Sequence, residues 1–90
     1  MNIEIRAAGK LIYDIPQQRF VGDSPEIMQV SYYAGQQMIA IQKSDEQPNL
    51  FELHYMGLVA GEFKSMEAAK SSASLFAKEA LHKLSKMILE

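Results

Sequence analysis

The spacing of apolar side chains changes once along this chain, at residue 65. Before that point apolar residues recur every second position, the repeat of a strand; after it they recur every third and fourth, the repeat of one helix face. Strands first and a single helix last restrict the chain to an α+β architecture, with the helix laid over a mostly antiparallel sheet. Ile3 and Ile5 share a face, as do Leu11, Tyr13 and Ile15, with Ala8-Gly9 as the turn between the two runs. Met28, Val30 and Tyr32 alternate with Gln29, Ser31 and Tyr33, Gly35 turns the chain back, and Ile39 and Ile41 are assigned inward on the return. In the third hairpin Phe51, Leu53 and Tyr55 face inward, Gly57 reverses the chain, and Val59 and Phe63 return, with Gly61 placed for a bulge. The expectation is an antiparallel sheet of about five or six strands, three successive hairpins over residues 1–64, packed on one long C-terminal helix over residues 65–90 as a single domain. Gly22-Asp23-Ser24-Pro25 and the stretch from Ser44 to Asn49 have loop chemistry within that domain.

Ser65 is the expected N-cap, because its hydroxyl can satisfy a first-turn amide, and Glu67 suits the positive end of the helix dipole. Ala69, Ala73, Phe76, Ala80, Leu84 and Met87 form a stripe that Ala77, Leu81 and Ile88 widen. The alanines predict a close approach of the helix to the sheet, with Phe76 as the large anchor.

Ninety residues suffice for one core, and the absence of cysteine excludes a disulfide framework, thiolate metal ligation and a cysteine nucleophile. With no apolar run fit for a signal peptide or a membrane span, the expectation is a soluble chain in a reducing, cytoplasmic setting. Residues 1–63 carry four basic against eight acidic side chains, whereas residues 64–90 carry five lysines against three glutamates. The acidic sheet half repels phosphate backbones, so nucleic acid could be engaged only from the tail.

No catalytic set emerges. His54 and His82 have no metal-ligand spacing, no phosphate-cradling glycine loop or nucleophile elbow is present, and a Ser31 or Ser72 pairing with His54 would be a chance meeting. No enzyme activity, cofactor or metal is expected, and His54 is read as an outward strand residue. Two surfaces remain as candidates. One is a patch around Tyr33, Met38, Met56 and Leu58, assigned to the outward sheet face because methionine repacks readily and tyrosine is enriched in interface cores. The other is a basic helix ridge of Lys70, Ser74, Lys78, His82 and Lys86 at four-residue steps, joined by Lys64.

Residues 63–77 run from a strand into the helix, and there Ser65, Ala69, Lys70, Ala73 and Ala77 resemble the end of the double-stranded RNA-binding domain. Met66 and Glu67 stand where that family has a lysine pair. The same sheet-then-helix pattern looks like the arm-DNA-binding domain of phage-type integrases. These resemblances imply nucleic-acid binding, for which the residues themselves offer the basic ridge of Lys64, Lys70, Lys78, His82 and Lys86. The residues themselves favour a non-catalytic protein-binding module or inhibitor-like accessory protein, of the kind phages and mobile elements carry, that works by occluding a surface. Self-association as a homodimer, through the patch or an edge strand, is the further alternative.

Overall fold

A computed structural model describes residues 2–4 and 20–89, with Asp23 described by its backbone alone. The expected first hairpin around Ala8-Gly9 lies outside the described residues. Among the described residues five strands form one antiparallel sheet: β1 (Val21–Ser24), β2 (Met28–Tyr33), β3 (Gln36–Ser44), β4 (Gln47–Tyr55) and β5 (Leu58–Phe63), followed by α1 (Met66–Lys86). Their spatial order is their chain order, a simple meander with β1 and β5 at the edges. The α+β architecture, an antiparallel sheet packed on one C-terminal helix, is that expected from the change of period.

Two of the turns are two-residue hairpin loops with both residues at positive φ, Ala34-Gly35 and Met56-Gly57. That geometry matches the strand twist, and glycine supplies one of the two left-handed positions without strain. Both edge strands are bulged. On β5, Phe63 pairs with Phe51 and Ala60 with Leu53, so Gly61 and Glu62 together oppose Glu52, and Glu62 takes φ +67. On β1, Val21 pairs with Val30 and Ser24 with Met28, so Gly22 and Asp23 oppose Gln29. A Cβ on Gly22 would lie 2.5 Å from the Met28 carbonyl oxygen, so the segment read from sequence as a loop closes onto β2 only because glycine stands there.

The core lies between one sheet face and α1, and comprises Tyr33, Met38, Ala40, Phe51, Leu53 and Tyr55 below Ala69, Ala73, Ala77 and Ala80. The inward row of β4 is as expected, whereas β2 and β3 are inverted: Gln29, Ser31, Tyr33, Met38 and Ala40 are buried, and Met28, Val30, Tyr32, Ile39 and Ile41 face away from the helix. Register is the cause. Leu53 pairs with Ala40 and Tyr55 with Met38, and these in turn pair with Gln29 and Ser31, so the inward β4 row carries its neighbours inward with it. The misplaced polar groups are partly compensated. The Gln29 amide donates to the Pro25 carbonyl at 2.7 Å and lies 3.5 Å from Lys70 Nζ, while the buried Ser31 hydroxyl has no partner among the described residues. On β5 the bulge keeps Phe63 on the helix side with Leu58 and Ala60, and sends Val59 to the other face.

Ser65 caps α1 as expected, its hydroxyl accepting from the Ala68 amide at 3.0 Å. The helix ends at Lys86, before residue 90, and spans about 32 Å. Ala80 is its last buried residue. Leu81, Met87 and Ile88, expected in the stripe, are exposed: α1 begins where β5 ends, level with Phe51, and Phe76 already meets Tyr55 at the other end of β4, so the last turns have no described sheet residue beneath them.

Tyr55 ties the far end of the sheet together. Its hydroxyl donates to the Tyr33 carbonyl at 2.6 Å, and its ring meets those of Tyr33 and Phe76 edge-on at 6.5 and 6.4 Å. Burial pushes both the Tyr33 and Tyr55 hydroxyls above their usual value near 10. A raised folded value means that stability is fully present below pH ~10 and is lost as pH rises through the folded value. Urea unfolding at pH 8 and at successive alkaline steps is expected to show this loss. Tyr55→Phe should start less stable at pH 8 by about 1 kcal/mol and then decline less steeply.

Candidate functional site

The inversion of β2 and β3 redistributes the candidate residues. Tyr33, 6% exposed, and Met38, 0% exposed, lie under the helix, and Leu58 packs half-buried against the same core. Of the expected patch only Met56, 41% exposed, reaches the surface, at the β4–β5 turn. The patch as expected from sequence is therefore not a surface: the register with β4 carries Met38 and Tyr33 inward, opposite to the parity that alternation within β2 and β3 suggests.

What the sheet presents instead is a row of side chains crossing all five strands on the face away from α1. Val21 pairs with Val30, Val30 with Ile39, Ile39 with His54 and His54 with Val59. The next row is Ser24, Met28, Ile41 and Glu52. Val21, Met28 and Val59 are exposed, while Val30, Ile39 and Ile41, flanked on both sides by strands, are half-buried. An antiparallel sheet with one covered face ordinarily alternates apolar-in with polar-out. Here α1 covers one apolar face, and among the described elements none covers the other.

Charge on this face is concentrated on the β3–β5 side. His54 Nε2 lies 3.2 Å from Glu52 Oε1, and Lys43 Nζ lies 2.8 Å from Glu62 Oε1. The hydrogen bond to Glu62 and its charge raise the Lys43 pKa, and the same contact lowers that of Glu62. Glu62 is exposed and Lys43 half-buried with its ammonium open to solvent, so the pair positions charge and adds little stability. His54 faces outward as expected. Ser31 lies on the opposite side of the sheet and cannot serve as its nucleophile partner.

The helix ridge is only partly free. Lys70 is held by Glu67 at 3.1 Å and leans toward Gln29, and Ser74 is half-buried. Lys64, Lys78, His82 and Lys86 are exposed. Among the described residues no three His, Asp or Glu side chains are placed to hold a metal ion, and no helix is long and apolar enough to cross a membrane. No protein-family model, curated protein or solved structure matches the chain.

Proposed function

We propose that this chain is a non-catalytic protein-binding module whose contact surface is the sheet face that no described element covers, and that it acts by covering or being covered by another protein surface. One observation carries the reading: among the described residues the sheet has two apolar faces and a single helix to cover them. Val21, Met28, Val30, Ile39 and Ile41 form a continuous apolar patch over β1 to β3, with Val59 beyond His54 on β5, and extended patches on otherwise polar surfaces mark interaction sites. Lys43 and Glu62 add charge beside these rows, and Glu52 and His54 place a polar pair within them on β4, the mixture of apolar and polar groups that interfaces carry. An inhibitor-like role by occlusion fits this surface, because it requires area and shape and no reacting groups.

Nucleic-acid binding through Lys64, Lys78, His82 and Lys86 is the second reading, supported by the exposure of those four side chains. It is weakened by the engagement of Lys70 with Glu67. A photo-crosslinking amino acid placed at Ile39, and separately at Lys78, discriminates the two in the producing cell. The proposed function predicts protein adducts from position 39 and none from position 78. Nucleic-acid adducts from position 78, with none from position 39, would overturn it.

A further inference from the structure

Building on the reading of the uncovered face as the contact surface, we infer that its partner is a second copy of this chain, docked about a two-fold axis that runs across the strands between the Val30–Ile39–His54 row and the Met28–Ile41–Glu52 row. Such an axis lays each strand over its own counterpart and exchanges the two rows. Ile39 of one copy then lies over Ile41 of the other, Val30 over Met28, and Glu52 over His54, with His54 over Glu52 on the far side of the axis. The Glu52–His54 pair, 3.2 Å apart within one chain, becomes a ring of four alternating groups. A two-fold axis along β3 would instead stack Glu52 and His54 on the apolar Met28 and Val30, and one along β4 would lay Glu52 over Glu52, so the charge pattern selects the transverse axis. Lys43, one step further along β3, falls toward the Gln37 amide of the other copy.

Two further features favour this face. Five strands about 4.8 Å apart and about four outward rows deep give roughly 600 Å² per copy, or roughly 1,200 Å² in all, which reaches the lower limit of specific interfaces. The aligned packing of two sheets at about 30° is the ordinary way for twisted sheets to bury such faces. Edge-to-edge pairing, the other route to a dimer, is opposed at both edges. β1 and β5 each carry a two-against-one bulge that twists the edge away from a straight ladder.

The test is sedimentation equilibrium of the full chain, with circular dichroism to establish that each variant is folded. The wild type is expected to be a reversible dimer at about 100 μM. His54→Glu places four carboxylates around the axis and should weaken the dimer by at least about tenfold. The exchange Glu52→His with His54→Glu restores alternation and should restore dimerisation, which no loss of packing would do. Lys78→Glu should leave association unchanged. A wild type that stays monomeric at that concentration, or a dimer indifferent to His54→Glu, overturns the inference. If position 39 still crosslinks to a different protein while the isolated chain is monomeric, the proposed function stands and the second copy is excluded as its partner.

Discussion

Met38→Ala is expected to lower the unfolding free energy by about 2–5 kcal/mol, whereas Ile39→Ala, the next residue on the same strand, should cost roughly 1 kcal/mol. Met38 is fully buried between the sheet and α1, where truncation leaves a cavity that the alanines above it cannot fill. Ile39 is half-buried on the opposite face, over which no described element lies. Urea unfolding of both variants at several protein concentrations provides the measurement. The Met38→Ala loss should be the same at every concentration. The Ile39→Ala loss should grow as concentration rises, because self-association stabilises the wild type by mass action and the variant less. A larger loss at Ile39 than at Met38 at every concentration would mean that the strand faces are assigned the wrong way round.

That contrast also measures how far the strand pattern can be read from sequence. Phe51, Leu53 and Tyr55 face inward, as their alternation with Glu52 and His54 requires, since neither flanking group would be buried cheaply. The run Met38-Ile39-Ala40-Ile41 carries no such contrast, and on β2 the residues that look apolar are those that face outward. The deciding information was in the turns. A two-residue turn joins positions of opposite parity, so a Ser44–Gln47 closure places even-numbered β3 residues inward beneath odd-numbered β4 ones. The Ala34-Gly35 closure then returns odd-numbered β2 residues inward. Reading hydrophobicity strand by strand hides this coupling. The candidate surface was lost for the same reason, since an apolar outward row looks like core until register says that the core is already filled. The bulges are less legible. Gly61 marks its site, but nothing in Gly22-Asp23-Ser24-Pro25 distinguishes a closing edge strand from a loop. The helix, by contrast, is set by local chemistry, with Ser65 as cap and uninterrupted helix formers behind it, and needed no information from the sheet.

The use of alanine where α1 meets the sheet leads to the second large effect: Ala73→Phe is expected to destabilise the fold by about 3 kcal/mol or more. Ala69 and Ala73 are fully buried, and the groups among which they pack include Met38, Leu53 and Tyr55, themselves almost completely buried. An added ring at position 73 has no free volume to enter, and an interior packed at crystal-like density does not yield locally. The helix must therefore lift or tilt, which separates Phe76 from Tyr55 and with it the aromatic chain running on to Tyr33 and Phe20. Leu75→Phe is the matched control, since Leu75 is 63% exposed on the outer side of α1 and the same ring there should change stability by about 0.5 kcal/mol or less. Chemical denaturation gives the energies, and near-ultraviolet circular dichroism reports the tyrosine environment directly. A helix that follows the sheet through small side chains predicts loss of that signal in Ala73→Phe before the helix itself unfolds. Retention of both the signal and stability to within about 1 kcal/mol would show that the layers stand further apart than the four alanines require.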